Sequence, residues 1–388
     1  MKKIFALVLF AFTVHANAQV TFIEEDWDQA LKEAQETQKP IFVDFYTDWC
    51  GWCKVMDKKT FSVDSVGEYM NENYVCLKID AESGMGRMLS MKHRIGSFPT
   101  FGIFNADGRL VSKILGYKEV SPFMDAAREN KQLVNEGFFL EGGSEELEPG
   151  FPDFYTASFK NKDSKKKRVW PKDSVVHAYL AEADLMHEVA FNVMYRFGAS
   201  EEIYQHALGM QDQFVQLYGE EDVKRLMANI AYKDYSNIEK NGTYDDFIAW
   251  LPKLEMLMRE EADLYKNHYE LSFFKAKEMW SEYAAKIDSM IVSGEASNNS
   301  LNSHSWNIYK KIDNKELVKK AVGWMAEVVE EEANYMYVDT YAALLFKDGQ
   351  LDEAEKQAEL AIKIGKESGE KVGDTEKLLK EIRKAKKS

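Results

Sequence analysis

The chain has 388 residues, of which 45% are hydrophobic and 30% are charged. This composition excludes a disordered chain, and the length allows two or three domains with hydrophobic cores of their own. The formal net charge of −15 argues against a general nucleic-acid-binding role.

Residues 1–18 have the pattern of a cleaved secretory signal. Lys2 and Lys3 precede an apolar run at 4–14, and a small-residue cleavage site at 16–18 follows. The run is too short to span a bilayer, and no other segment is long and apolar enough to do so. The sequence therefore predicts an exported protein without a membrane span in the mature chain.

The chain contains three cysteines, Cys50, Cys53 and Cys76. An exported protein held together by disulfides would carry more cysteines, in even number. We therefore expect packing to provide the stability and the closely spaced pair to be free for chemistry. Cys76, in the middle of an apolar strand, is expected to be a buried, inert small hydrophobe rather than a second redox centre.

Residues 20–130 alternate strands and helices. The predicted elements, in chain order, are a strand at 20–24, a helix capped by Asp26 and ending near 39, a strand at 40–46, a helix after Cys50, a helix beginning at Asp64 or Ser65, a strand at 74–80, a helix through Met88 and Met91, strands at 100–104 and 109–115, and a last helix beginning at Ser121 and Pro122. Residues 105–108 predict a hairpin turn between the last two strands.

The most informative motif is the CxxC of residues 50–53, which lies between an apolar strand and a helix. Unpaired N–H groups and the positive dipole end of the first helical turn favour a thiolate there. We expect Cys50 to be the exposed attacking thiol and Cys53, one turn further, to be the resolving thiol. The alternative is half of a zinc site, which is disfavoured because such sites usually need four ligands and no second CxxC or CxxH occurs.

Residues 19–131 resemble the thioredoxin family. The resemblance rests on Val43-Asp44-Phe45, Trp49-Cys50-Gly51-x-Cys53-Lys54, Ser97-Phe98-Pro99-Thr100, Asp107-Gly108 and Gly116. Lys39-Pro40 and Thr60-Phe61-Ser62 are more similar to the exported thiol:disulfide interchange proteins, including the C-terminal domain of DsbD. The resemblance implies an α/β thioredoxin fold over 19–131, with a central mixed sheet flanked by helices.

The resemblance also implies a third catalytic residue, Asp44. In the family, an acid at this offset is buried beneath the resolving cysteine and relays its proton. A desolvated carboxylate has a raised pKa and can exchange protons near neutral pH. The alternative is an aspartate at the edge of the sheet whose side chain only caps the backbone or binds water.

Pro99 matches the cis-proline that faces the CxxC in this family, where the preceding backbone pairs with substrate. A plain loop proline is the alternative. The substrate-binding residues implied by the resemblance are Trp49, Gly51, Trp52, Phe98 and Pro99. Trp52 replaces the proline or histidine that is common at this position in the family, so the resemblance does not fix the redox potential. An alternative role for Trp52 is packing on a neighbouring loop.

Residues 132–172 predict a linker or irregular connection, and its basic stretch at 165–168 predicts a solvated loop. Residues 173–388 predict an all-α helical-repeat domain. The helices expected upstream of the repeats cover residues 173–195, 199–217, 220–240, 243–265 and 267–291.

The clearest repeat is at 335–366, which resembles one tetratricopeptide repeat. Gly349 would turn the chain between two antiparallel helices, and small residues such as Ala354 and Ala358 would let them pack closely. Residues 305–330 resemble a degenerate repeat. Because stacked helix pairs leave a concave surface, a protein partner on this domain is expected.

Together these features predict an exported thiol–disulfide oxidoreductase that reduces or isomerises protein disulfides in the periplasm. Its partners would be protein thiols and disulfides and a redox donor or acceptor protein. No dissociable cofactor and no metal are expected. The alternative is a redox-gated adaptor in which the helical repeats carry the function.

Overall fold

The computed structural model describes residues 19–387. The predicted signal at 1–18 lies outside the described residues. No helix between 19 and 387 has both the length and the apolar character that crossing a membrane requires. One compact unit ends at Lys233 and a second begins at Asp234.

The first part of the chain alternates strands and helices, as the sequence predicted. Its elements are β1 (Phe22–Glu24), α1 (Trp27–Thr37), β2 (Ile41–Tyr46), α2 (Gly51–Lys59), α3 (Asp64–Asn73), β3 (Val75–Asp80), α4 (Gly84–Lys92), β4 (Thr100–Phe104), β5 (Leu110–Leu115) and α5 (Val120–Asn135). Asp26 caps α1 by accepting a hydrogen bond from the Gln29 amide at 2.9 Å, as expected. Helix α5 begins at Val120, and Ser121 therefore lies in its first turn instead of capping it.

The five strands form one mixed sheet in the order β1-β3-β2-β4-β5. Strand β2 runs parallel to β3 and antiparallel to β4, and β4 is antiparallel to β5. Phe42, on one face of β2, packs in a core with residues of α2, α3 and α5. Val43, on the opposite face, packs with residues of α1 and α4. This is the predicted fold class, with β2 at the centre of the sheet.

Beyond α5 the chain is helical. The helices are α6 (Asp153–Ala157), α7 (Asp173–Glu182), α8 (Glu188–Phe197), α9 (Glu201–Gly209), α10 (Gln211–Tyr218), α11 (Glu220–Asn241), α12 (Tyr244–Met258), α13 (Ala262–Ala276), α14 (Trp280–Val292), α15 (Asn298–Lys311), α16 (Lys315–Glu331), α17 (Tyr335–Lys347), α18 (Leu351–Ser368) and α19 (Gly373–Ala385), with a 3₁₀ turn at Arg259–Glu261.

The helix predicted at 173–195 is divided into α7 and α8. Between them, the Asp184 carboxylate accepts a hydrogen bond from the Met186 amide, and the His187 ring accepts one from the Val189 amide at the start of α8. Such side-chain bonds to nearby backbone amides compete with a continuous helix. The helix predicted at 199–217 is likewise divided into α9 and α10, at Met210.

The division between the compact units does not coincide with the boundary predicted near 172. Helices α8 and α11 pack on the sheet domain through buried polar contacts that sequence patterning did not reveal. Arg94 donates to Asp222 at 2.7 Å and to Asn192 at 2.6 Å, and Lys113 pairs with Asp222 at 2.5 Å. Lys92 pairs with Glu188 at 3.1 Å. Residues 19–233 therefore form one unit that includes the sheet domain.

The second unit contains the helical hairpin predicted from the sequence. Gly349 adopts φ +81° between α17 and α18, where a left-handed backbone favours glycine. Ala342 on α17 and Ala354 and Ala358 on α18 are fully buried. The helix pair is thus confirmed, whereas its assignment to the tetratricopeptide class stays a prediction.

We expect Asp222→Ala to lower the free energy of unfolding by about 3–5 kcal/mol, because removing one partner leaves buried Arg94 and Lys113 without their carboxylate. Glu129→Ala, on the exposed face of α5, is the control and should change stability by less than about 0.5 kcal/mol. Urea denaturation at pH 7 measures both. Equal stability of the two variants would contradict a structural role for these ion pairs.

Candidate active site

The two cysteines of the CxxC motif form a disulfide at the N terminus of α2. Cys50 is the N-cap residue, the two Cα atoms are 5.4 Å apart, and the Cys53 amide donates to Cys50 Sγ at 3.0 Å. The sequence predicted an exposed Cys50, but Cys50 is only 4% exposed and Cys53 3%. The disulfide and the hydrogen bond from the Cys53 amide hold the Cys50 sulfur against the first helical turn. Gly51 opens the helix and is exposed.

Aromatic side chains stand on both sides of the disulfide. Trp49 is 63% exposed, and its ring meets the Phe98 ring edge-on at 5.8 Å. Trp52 is 59% exposed, and its ring lies 5.3 Å from that of Tyr117. The alternative role for Trp52, packing on a neighbouring loop, is therefore present together with a large exposed surface. These rings form an apolar rim around a buried disulfide.

The Phe98–Pro99 peptide bond is cis, as the sequence predicted. The Pro99 carbonyl accepts a hydrogen bond from the Gly116 amide at 3.0 Å, and Thr100 donates from its hydroxyl to the Ser97 carbonyl at 2.8 Å. Through the contact between Phe98 and Trp49, this loop lies beside the CxxC motif.

Asp44 lies on central strand β2 and is 1% exposed, so it is not an edge aspartate. Its side chain points to the same face as Phe42, which packs with Met56 of α2. Met56 and Cys53 are three residues apart and share one face of that helix. The alternation of the strand thus directs the carboxyl group toward the helix layer that carries Cys53.

Burial raises the pKa of Asp44 to about 7, and the Lys78 charge only partly opposes this. Lys78 is the cross-strand neighbour of Asp44, with Nζ 3.3 Å from Oδ2, and it also pairs with Asp57. Neither Asp44 oxygen accepts a well-formed hydrogen bond from residues 19–387. A carboxyl group with this pKa can gain or lose a proton near neutral pH.

Sequence reasoning missed Lys78. Burial lowers the pKa of Lys78, but Asp44 and Asp57 outweigh it and the net shift is upward. The available signal was a lysine that interrupts the apolar residues of the strand. Its position opposite Asp44 is set by the strand register, which the sequence does not show.

Cys76 lies on β3 within the core and is unpaired. Burial raises the pKa of its thiol. The thiolate needed for exchange chemistry is thereby disfavoured, which agrees with the expected inert role. Among residues 19–387, no group of three or more His, Cys, Asp or Glu side chains is arranged to hold a metal ion.

The segment after α6 also reaches the active site, although the sequence predicted a linker there. Lys160 pairs with Glu82 at 2.7 Å, and Glu82 also accepts a hydrogen bond from the Trp49 indole at 3.0 Å. Lys162 pairs with Asp48 and Asp80 at 2.5 Å each. Residues 160–162 therefore position the loop that holds Trp49.

Comparison with known proteins agrees with this geometry. The thioredoxin-like family model matches residues 22–106. The N-terminal domain is thioredoxin-like. It contains the disulfide, Asp44 and the cis-proline loop described above.

The similar curated proteins include thiol:disulfide interchange protein DsbD of Vibrio vulnificus, 28% identical over 116 residues, which are 28% of this chain and 19% of that protein. DsbD of Klebsiella pneumoniae is 36% identical over 102 residues, which are 26% of this chain and 16% of that protein. The match thus spans less than a fifth of these relatives. Among solved structures, the oxidised DsbD C-terminal domain of Neisseria meningitidis is 24% identical, with coverage of 28% of this chain and 99% of that domain and a TM-score of 0.24.

We expect Asp44→Asn to stabilise the oxidised protein in a pH-dependent way. The folded-state pKa of about 7 is above the ordinary value of 3.8, so ionised Asp44 destabilises the fold increasingly as pH rises from 4 to 7. The gain in unfolding free energy should be below about 1 kcal/mol at pH 4 and at most about 4 kcal/mol at pH 8.

Denaturant unfolding at both pH values measures this effect. Asp57→Asn is the matched control, because Asp57 pairs with the same lysine but is 42% exposed. It should change stability by less than about 1 kcal/mol at either pH. A gain for Asp44→Asn that does not grow between pH 4 and pH 8 would contradict the raised pKa.

Proposed function

We propose that the chain is an exported thiol–disulfide oxidoreductase that reduces protein disulfides through Cys50 and Cys53. The observation that carries this proposal is the disulfide at the start of α2, beside a cis-proline loop and above a buried carboxyl group whose pKa is about 7. The names of the DsbD relatives support the same chemistry.

The reaction begins with the protein in its dithiol form. The Cys50 thiolate, favoured by the helix N terminus, attacks one sulfur of the substrate disulfide. A bond forms between Cys50 and that sulfur, the substrate disulfide breaks, and the departing substrate thiolate takes a proton from water. The product is a mixed disulfide between protein and substrate.

The second step releases the substrate. Cys53 loses its thiol proton to ionised Asp44 and attacks Cys50 Sγ, so the Cys50–Cys53 disulfide forms and the second substrate sulfur leaves as a thiolate. Two electrons have then passed from the protein dithiol to the substrate. Asp44 gives up the Cys53 proton, which protonates the departing thiolate through solvent, and Asp44 is again ionised. The water proton taken up in the first step matches the proton that Cys50 released when it ionised. A dithiol donor protein would return the oxidised pair to the reduced state, so the cycle uses no dissociable cofactor.

Trp49, Trp52 and Phe98 supply the surface for an extended substrate. Trp49 and Phe98 adjoin Cys50 and Pro99 in the chain, so a polypeptide bonded to Cys50 would lie across their rings. Exposed aromatic rings bury large area at low cost in side-chain entropy, which suits substrates of varied sequence.

Export to the periplasm is part of the proposal. It is supported by the basic start, short apolar run and small-residue cleavage site of residues 1–18. N-terminal sequencing of the protein from a periplasmic extract tests it, with Gln19 as the expected first residue.

Reduced wild-type protein should accelerate insulin disulfide reduction by dithiothreitol, whereas Cys50→Ser should leave the uncatalysed rate, because no thiolate then begins the exchange. Precipitation of the insulin B chain measures both rates. Cys76→Ser is the matched control and should retain wild-type activity. A wild type no faster than Cys50→Ser would overturn the proposal.

Cys53→Ser should accumulate mixed disulfides on Cys50, because the resolving thiol is absent. Non-reducing electrophoresis and mass spectrometry would identify the captured proteins. If this variant captured nothing while the helical unit bound a partner, the adaptor alternative would replace the enzyme.

The direction of electron flow follows from the reduction potential. Equilibration with glutathione should give a value nearer to about −270 mV, as for a thioredoxin, than to about −120 mV, as for a strong oxidant. Alkylation and mass spectrometry quantify the dithiol fraction. A value at the oxidising end would contradict a reductase and favour an oxidant.

A further inference from the structure

A cavity of about 400 Å³ lies beside the active-site disulfide. Trp49 and Phe98 form one wall, and they are the chain neighbours of Cys50 and Pro99. Another part of the wall comes from residues beyond the thioredoxin-like match, namely Phe159, Lys160, Arg168 and Arg196. The cavity thus combines the conventional rim of the site with parts contributed by this chain's additional segment.

That wall is fixed in place by contacts to the loop after β3 and to the start of α4. The Lys162 amide donates to the Glu82 carbonyl at 2.8 Å, and the Gly84 amide donates to the Asp163 carboxylate at 3.0 Å. Arg87 donates to the carbonyls of Thr156 and Lys160 at 2.6 and 3.2 Å. The segment is therefore anchored at several points, and the cavity is preformed.

The cavity has an excess of positive charge. Its one lining carboxylate, Glu82, already binds the Trp49 indole through one oxygen and Lys160 through the other. The positive charge of Lys160 is therefore paired with the Glu82 carboxylate. Arg168 and Arg196 are left as the charges that face the cavity.

Arg196 is oriented by neutral groups. It donates to the Ser158 hydroxyl and, at 2.7 Å, to the Ser158 carbonyl, and its guanidinium lies 3.6 Å from the centre of the Phe159 ring. Neither Arg196 nor Arg168 pairs with a carboxylate anywhere in residues 19–387. Burial, and to a smaller extent the Arg168 charge, lowers the pKa of Arg196 to about 10, so it stays cationic at neutral pH.

Two unpaired guanidinium groups near one another repel, and an anion between them would relieve that repulsion while accepting hydrogen bonds from both. An extended polypeptide advances about 3.3 Å per residue. A side chain one or two residues from a cysteine bonded to Cys50 can therefore reach the cavity across Trp49 and Phe98.

We propose that this cavity is a specificity pocket that receives an acidic side chain of the substrate polypeptide, next to the cysteine that Cys50 attacks. The occupant is an aspartate or glutamate, held between Arg168 and Arg196 with its aliphatic part on the Trp49 and Phe98 rings. This inference rests on the proposed reductase function and adds the class of substrate that the site prefers.

The test uses disulfide-linked peptides that differ in one residue beside the cysteine, with Glu, Gln or Lys there. Pre-reduced wild-type protein in single turnovers at low salt should reduce the Glu peptide roughly fivefold faster than the Gln peptide, on the scale of one partly exposed ion pair. The Lys peptide should be the slowest. The Glu preference should decrease at high salt.

Arg168→Gln should reduce the Glu-to-Gln rate ratio to below about twofold, and Arg168→Glu should invert the order of the Glu and Lys peptides. Lys165→Gln is the matched control, because it removes one positive charge from the same segment but does not line the cavity. It should retain the wild-type ratio. An equal loss of the ratio in Lys165→Gln and Arg168→Gln would overturn the pocket and indicate general charge attraction.

Equal rates on the Glu and Gln peptides would reject the pocket while leaving the proposed reduction intact. Failure to reduce either peptide would reject the proposed function. In that case, the pocket is tested separately by measuring, with calorimetry, the affinity of the same peptides with serine in place of cysteine. Tighter binding of the Glu version, lost in Arg168→Gln, supports it, and equal affinities overturn it.

Discussion

The burial of Asp44 in the central strand is the constraint on which the site depends. Strand β2 lies between β3 and β4 and is covered by helices on both faces, so an ionisable group on it is desolvated. Because side chains alternate along a strand, Asp44 faces the helix layer that carries Cys53, while the end of the strand leads to Cys50. Lys78 moderates the cost of this burial without removing it, and the resulting pKa of about 7 suits proton exchange at neutral pH.

Buried ion pairs hold the helices that follow the thioredoxin-like domain against it. Asp222 joins Arg94 and Lys113, and Glu188 joins Lys92, in sites with little exposure to solvent. Buried charges of this kind require their partners, because an unpaired one is costly. The sheet domain and the chain up to residue 233 therefore share one set of buried interactions, and a segment outside the family match can shape the active-site rim.

Much of the fold and of the catalytic pair was predictable because the determining signals are local. The apolar strand, the CxxC spacing, the Asp26 cap and the small residues around Gly349 each act within a few positions of the chain. Because side chains alternate along a strand, the assignment of β2 is enough to place Asp44 on the same face as Phe42. The break between α7 and α8 was missed because single side-chain bonds to backbone amides accompany it, and these do not change the apolar period.

The sequence alone determined the redox-capable pair, the acid six residues before it and the proline loop that the family resemblance implied. Only the tertiary structure decided the contacts around them. Lys78 meets Asp44 through strand register, and Lys162 meets Asp80 across 82 positions. Arg196 reaches the rim from a helix that the sequence had placed in a separate domain. Contacts between residues so far apart in the chain depend on how the elements pack, and no local period or spacing records that packing.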